Sequence, residues 1–192
     1  MLPLTTERLV LRNYRIEDLG PHHRLMSDKK TMYYLADLYC KTLEDSRANL
    51  VAAIVGSNEN PRTRVFLAVE NAATREYIGS AGYTVTESTP VGRVVHAGYF
   101  FLPEYHGKGY ATEVLRELLR YAFEEDDVFR FNTGCFSGNA ASERGMIKCG
   151  MIKEGDYPQS QWLDGRMRGR LAYRLLKSEW MATKKAGLMG TT

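Results

Sequence analysis

The tightest constraint in this sequence is the segment Gly109–Glu125. Ala111, Val114, Leu115, Leu118, Leu119, Ala122 and Phe123 recur at three- and four-residue steps and draw one continuous apolar stripe along a helix. Such a stripe holds in water only against another apolar surface. The residues ahead of it offer one. Arg64–Glu70, Tyr77–Thr86 and Arg93–Leu102 read as extended runs, separated by turn chemistry at Asn71 and at Pro90 with Gly92. Adjacent runs joined by short turns predict an antiparallel meander, so the chain is expected to layer helices on a sheet.

The remaining segments extend that pattern. Glu7–Tyr14 alternates around Leu9, Leu11 and Asn13 as a first strand. Glu17–Ser27 reads as a short helix with Gly20-Pro21 near its start. Thr42-Leu43-Glu44-Asp45 resembles a capping box. Behind it Leu43, Leu50, Val51, Ile54 and Val55 recur at helical spacing up to Gly56. The acidic run Glu124–Asp127 opposes a helix dipole and predicts that the long helix stops there. Val128–Cys135 reads as a strand, Asn139–Cys149 as a helix capped by Asn139 with Gly150 just past its end, and Met151–Tyr157 and Arg166–Leu176 as closing strands. The expected fold is therefore mixed α/β. A single domain over 1–185 and a frayed tail over 186–192 complete the expectation.

Composition narrows the class of protein. The 192 residues are 44% hydrophobic and 26% charged, enough for one ordinary globular core. A net charge of +3 is too near balance for a nucleic-acid-binding protein, which carries a denser basic patch. Three cysteines, Cys40, Cys135 and Cys149, form no CxxC pair, which argues against a disulfide framework or a zinc site and for a reducing compartment. The charged start MLPLTTERLVLRNYR lacks the apolar core of a signal peptide, and no apolar run reaches the roughly 20 residues of a membrane span. A soluble, cytoplasmic, metal-free protein is expected.

The chemistry concentrates between the third extended run and the long helix. His106, Gly107, Lys108, Gly109, Tyr110, Ala111 and Thr112 lie where a helix exposes its first backbone N–H groups and the positive end of its dipole. Glycines there let the backbone approach an anion, and Lys108 adds a charge, so the segment can cradle phosphate. The spacing is neither a P-loop nor the GxGxxG dinucleotide fingerprint. A plain glycine turn ahead of a core helix is the bland alternative.

The run Gly98-Tyr99-Phe100-Phe101-Leu102-Pro103-Glu104-Tyr105-His106-Gly107-Lys108-Gly109-Tyr110-Ala111-Thr112-Glu113 resembles the acetyl-CoA signature of the GNAT superfamily of N-acetyltransferases. The family's loop reads Q/R-x-x-G-x-G/A. His106 stands at the Q/R position, Gly109 at the glycine and Ala111 at the small residue. Asn139-Ala140-Ala141-Ser142 with Gly150-Met151 is similar to the family's N-x-x-S…G-F segment. Thr6–Arg12, Asp164-Gly165-Arg166 and Tyr173–Trp180 resemble the ribosomal-protein-acetyltransferase-like branch. Two residues depart from the pattern: Gly145 replaces a bulky apolar residue, and Gly169 sits where that branch often carries an acidic one.

The resemblance implies a central mixed, mostly antiparallel sheet flanked by helices. It implies acetyl-CoA as cosubstrate, held along Phe100, Phe101 and Leu102 and by the loop from His106 to Thr112, with Asn139 on the pantetheine arm. His96 is the candidate general base, since a neutral imidazole can accept a proton from the amine; an ordinary strand histidine, with the proton leaving through water, is the alternative. Ser142 is the candidate acid for the departing thiolate, against an ordinary first-turn serine. The acceptor is expected to be a small-molecule amine or a protein N-terminus, with neither membrane nor nucleic acid as partner; since related proteins are often dimers, the resemblance also implies a homodimer. A non-catalytic acyl-CoA-binding regulator is the competing reading.

Other residues draw weaker expectations. Cys135 has no base beside it in the pattern and reads as a core thiol rather than a nucleophile. His22 and His23 read as surface residues. Arg166, Arg168, Arg170 and Arg174 share one strand face, read as solvated or as a contact for an acidic partner. Tyr33, Tyr34 and Tyr39 are candidates to line an acceptor pocket or to pack in the core.

Overall fold

The computed structural model describes residues 2–186, so all but the first residue of the expected tail at 186–192 lies outside the described residues. The elements follow in the order β1 (Leu4–Thr5), β2 (Leu9–Arg12), α1 (Leu19–Met26), α2 (Leu43–Ser57), β3 (Arg64–Asn71), β4 (Tyr77–Thr89), β5 (Gly92–Phe101), α3 (Tyr110–Glu124), β6 (Val128–Phe136), α4 (Ala140–Lys148), β7 (Ile152–Leu163), β8 (Arg166–Leu176) and α5 (Lys177–Lys185). The eight strands stand in the sheet order β1-β2-β3-β4-β5-β6-β8-β7. Strands β1 to β4 pair antiparallel in sequence, β8 pairs antiparallel with both β6 and β7, and β5 pairs parallel with β6 over Arg93–His96. The mixed, mostly antiparallel sheet flanked by helices is thus present. Contacts divide the chain into two compact units, Met1–Thr84 with Gly98–Val114 and Val85–Ala97 with Leu115–Thr192.

In the first unit, β2 is buried on both faces: Leu9, Val10, Leu11 and even Arg12 are enclosed, which simple alternation does not predict. Arg12 is tolerated because its guanidinium meets Asp18 Oδ1 at 2.7 Å and Glu70 Oε1 at 2.5 Å, both carboxylates being buried too. Gly20 and Pro21 fall inside α1 rather than weakening it, because first-turn N–H groups have no helical partner to lose. The capping box at α2 is formed, with Thr42 Oγ1 accepting from Asp45 N and Asp45 Oδ2 accepting from Thr42 N. The expected apolar stripe of α2 is corrected: Leu50 is buried, but Leu43, Val51 and Val55 are exposed. Val51 and Val55 lie about 100° round the helix from Leu50 and Ile54, too far to share their face.

The stripe of α3 is as expected, with Val114, Leu115, Leu118, Leu119, Ala122 and Phe123 all buried. In the second unit the acidic run after α3 finds cations that offset its conflict with the helix dipole: Glu124 meets Lys184 at 2.6 Å, Asp126 meets Arg93 at 3.1 Å and Asp127 meets Lys177 at 3.2 Å. Strand β7 runs on to Leu163, well beyond the expected end at Tyr157. The turn joining it to β8 is Asp164-Gly165, both at positive φ, the pairing that two-residue hairpin turns prefer.

Candidate active site

The glycine loop is shaped by backbone conformation first. Gly107 and Gly109 have φ of 74° and 84°, the left-handed region that costs other residues about 1–2 kcal/mol. Residues 106–109 are exposed. The amides of Thr112 and Glu113 both donate to Gly109 O at 3.1 Å. The N–H groups ahead of them belong to the first turn, where no preceding turn can accept from them. Gly109, standing at the cap position, has no side chain to cover them either.

Side chains around the loop brace it. Arg8 donates from Nη1 to Lys108 O at 3.0 Å and from Nε to Glu113 Oε2 at 2.8 Å, and stacks over the Tyr110 ring with Cζ 4.7 Å from its centre. Glu113 also accepts from Thr6 Oγ1 at 2.6 Å and from the Arg8 amide at 3.0 Å. Burial opposes the charge on Glu113, but the hydrogen bonds from Thr6 and Arg8 and the Arg8 charge prevail, so its pKa falls below the usual carboxylate range. Thr6 and Arg8 entered the sequence reading only through family resemblance, because no local pattern pairs residues 100 positions apart. Lys108 lies over the Tyr105 ring, its Nζ 5.1 Å from the centre.

His106 is placed as part of this brace. Its Nε2 lies 2.8 Å from Phe101 O, which fixes Nε2 as the protonated, donating nitrogen. Thr31 Oγ1 reaches the same carbonyl at 3.3 Å. The strand end leading into the loop is partly core: Phe101 and Leu102 are buried, and Leu102 N donates to Ile78 O at 3.0 Å. Phe100 instead lines a cavity of about 360 Å³ with Tyr14, His22, Met26, Leu38, Asn49, Ala52, Ala53, Arg64, Phe66, Ser80 and Thr84. This unit thus holds both the glycine loop and an aromatic-walled cavity.

The cavity corrects the expectation for His22. It is 2% exposed, with Nε2 2.9 Å from Asn49 Oδ1 and Nδ1 3.2 Å from Tyr77 Oη. Burial lowers its pKa, so the ring is neutral at neutral pH. His23 is half-buried and meets Ser46 Oγ at 2.8 Å. The signal missed in the sequence is that His22, Leu25 and Met26 share one helix face. Tyr14 Oη lies 2.5 Å from Ser80 Oγ, and burial pushes its pKa up to about 12. Tyr39 packs against the apolar cluster of Tyr14, Leu25, Met26 and Leu50.

In the second unit, His96 is exposed on β5 within the run paired to β6. Desolvation and the charge of Arg170 lower its pKa, so it too is neutral near pH 7 and able to accept a proton. Asn139 caps α4, its Oδ1 accepting from Ser142 N at 3.2 Å. That leaves the Asn139 amide NH2 as a donor. Ser142 is half-buried in the first turn, next to Glu143, which accepts from Tyr173 Oη at 2.7 Å. Cys135 is buried and its thiol pKa is raised by desolvation, the opposite of an activated nucleophile.

The arginine face of β8 is corrected from a fully solvated one. Arg166 is exposed, but Arg168, Arg170 and Arg174 are half-buried. Arg174 pairs with Glu179 and Glu154, and Arg170 lies over the Phe136 ring at 5.0 Å. The departure at Gly169 has a steric reason: a Cβ there would stand 2.6 Å from Ser137 Oγ, and Gly169 O accepts from Ser137 N at 2.8 Å. No helix among the described residues is long and apolar enough to cross a membrane.

Comparison with known proteins agrees with this geometry. Residues 8–152 match the acetyltransferase (GNAT) domain model, well over half of the chain. The chain is 28% identical over 182 residues to the uncharacterised N-acetyltransferase YnaD of Bacillus subtilis (strain 168), covering 92% of this chain and 98% of that protein. Among solved structures it is similar to ribosomal-protein-S5-alanine acetyltransferase from Vibrio fischeri, with a TM-score of 0.79, 16% identity and coverage of 94% and 99%. It is likewise similar to spermidine N-acetyltransferase from Vibrio cholerae, solved with CoA and spermine, with a TM-score of 0.78, 20% identity and coverage of 92% and 99%. A glycine loop opening α3, a sheet of this order and a family match of this extent converge on one statement: the chain belongs to the GNAT acetyltransferase family and is an N-acetyltransferase.

Proposed function

We propose that this protein moves the acetyl group of acetyl-CoA to a primary amine by direct attack in a ternary complex. The observation that carries this reading is the exposed left-handed Gly107–Gly109 turn at the start of α3, held by Arg8 and, through it, by Glu113. Backbone amides from Gly107 to Ala111 and the Lys108 ammonium hold the phosphates of acetyl-CoA, with the helix dipole adding to the attraction and the Thr112 amide closing the first turn onto Gly109 O. His106 keeps the loop closed onto the end of β5, at Phe101 and Leu102, rather than touching phosphate itself. The Asn139 amide NH2 donates to the pantetheine arm while its Oδ1 remains the α4 cap.

Acetyl-CoA supplies an activated thioester. The amine nitrogen attacks its carbonyl carbon, the C–N bond forms and the C–S bond breaks. His96 takes the amine proton, and the Ser142 hydroxyl gives a proton to the departing thiolate. The acceptor is a small-molecule amine or a protein N-terminus, and a cytoplasmic setting suits either.

Calorimetric titration with acetyl-CoA, followed by thiol release over a panel of amines, tests the reading. Saturable binding with release for one amine class is the expected result. Binding without release from any amine would favour an acyl-CoA-binding regulator. His96→Ala should lower kcat about 100-fold or more and remove the acid limb of the kcat/KM profile. That limb should lie below pH 6.5, since the folded pKa is depressed and the ring must be neutral to accept. Ser142→Ala should slow turnover more than it weakens binding.

A further inference from the structure

The cavity lined by Phe100 has an uneven charge. Tyr14, Met26, Leu38, Ala52, Ala53, Phe66 and Phe100 form its apolar wall. Besides Arg64 its polar lining is His22, Asn49, Ser80 and Thr84, and among the described residues no acidic side chain lines it. His22 has both ring nitrogens engaged inside the protein, with Asn49 and Tyr77. The Tyr14 hydroxyl is committed to Ser80. The fixed charge on this lining is therefore the guanidinium of Arg64, the first residue of β3, which is exposed at the cavity. Arg62, two residues earlier, is not among the lining residues and is engaged by its own partners: Nη1 donates to Asn13 Oδ1 at 3.0 Å, Nε to Arg64 O at 2.8 Å and Nη2 to Phe66 O at 3.5 Å, which ties down the backbone that carries Arg64.

We infer that this cavity takes the acceptor, and that the acceptor is a small amine with an apolar body and one carboxylate, the carboxylate being held by Arg64. The inference rests on the acetyl-transfer reading above and names the acceptor class within it. A guanidinium presents a planar fork that matches a carboxylate with two parallel hydrogen bonds. One guanidinium balances a monoanion, whereas a phosphate dianion would carry uncompensated charge into an apolar enclosure. A polyamine is excluded by the same argument, since it would bring several cations to a lining whose fixed charge is positive and which offers no carboxylate. The volume of about 360 Å³ lies at the small end of ligand sites and suits a molecule of amino-acid size. The aromatic and aliphatic wall then selects an apolar side chain, and the half-buried ring of Phe100 places that ligand against the strand that leads into the glycine loop.

The test separates cavity from catalysis. The protein without acetyl-CoA is titrated with 3-phenylpropionate, with 3-phenylpropanamide and with spermidine. The carboxylate is expected to bind at least tenfold more tightly than the amide, and spermidine should not compete with it. Arg64→Gln should collapse the preference to less than twofold, and Arg64→Lys should restore part of it. Equal binding of acid and amide, tighter binding of spermidine, or a preference that survives Arg64→Gln would each overturn the inference. In parallel, thiol release at saturating acetyl-CoA is compared for leucine and phenylalanine against their amides, with the free acids expected to show the higher kcat/KM. Failure to bind acetyl-CoA at all would defeat the acetyl-transfer reading, and the probe titrations would still decide the cavity's charge preference.

Discussion

The chain opens two helices with residues implicated in acetyl-CoA binding, and it treats the two openings differently. At α4, Asn139 caps the helix with its own side chain, so the first-turn amide of Ser142 already has an acceptor. At α3, the cap position is Gly109, which has nothing to cap with, and the acidic residue of the first turn, Glu113, is drawn to Thr6 and Arg8. One helix start is capped by its own side chain, while the other is braced by the turn between β1 and β2, more than 100 residues away in sequence. An anion-binding helix start therefore needs two things: no cap of its own, and a brace that does not use the amides it must offer.

The largest effect that could break this comparison comes from Gly109→Glu. It forces a side chain into the left-handed region and sets a negative charge where phosphate is proposed to bind, so acetyl-CoA affinity should fall about 100-fold or more by calorimetry. Unchanged affinity would mean that the loop is only a turn. Gly109→Ala isolates the conformational part, because its Cβ would stand an ordinary 3.5 Å from Arg8 Nη2; a cost of about 1–2 kcal/mol is expected. Next comes the brace. Arg8→Ala removes the bond to Lys108 O and leaves Glu113 without its guanidinium, and the KM for acetyl-CoA should rise about tenfold.

At the other helix, Asn139→Ala should cost about 1 kcal/mol of stability, a Tm decrease of roughly 2–4 °C in a chain of this size. A simultaneous rise in the KM for acetyl-CoA would show that Asn139 also holds the pantetheine arm, and an unchanged KM would leave it a cap alone. The smallest effect is in the pH dependence of Glu113. Its folded pKa is depressed, so its contribution is present above its unfolded value near 4.5 and is lost as pH falls through the lower folded value. Tm curves of wild type and Glu113→Gln should therefore run apart at neutral pH and converge as the pH falls below 4.5 and through the lower folded value. Parallel curves would show that the brace contributes no charge-dependent stability.

Much of this was legible along the chain. The stripe from Val114 to Phe123, the Thr42–Asp45 capping box, the Asn139 cap and the glycine loop are local patterns with short-range causes, and each stands where its spacing placed it. What went unread depends on distant partners. Strand β7 beyond Tyr157 has little apolar alternation, and only the Asp164-Gly165 turn signals that it continues as a hairpin. His22 has the composition of a surface histidine until Tyr77 and Asn49 close around it.

The sequence by itself determined most of the helices and strands up to Tyr157 and where α3 begins, because these follow from periodicity, glycine conformation and dipole direction over a few residues; the helix α5 and the far half of β7 it did not. Only the tertiary structure decided that Arg8 and Thr6 would brace Glu113, that Arg12 would be buried between Asp18 and Glu70, and that Arg64 would supply the charge of an aromatic cavity. The physical reason is the same in each case. The strength of a charge or a polar group depends on what shields it from water, and those neighbours are brought together by the sheet rather than by the chain.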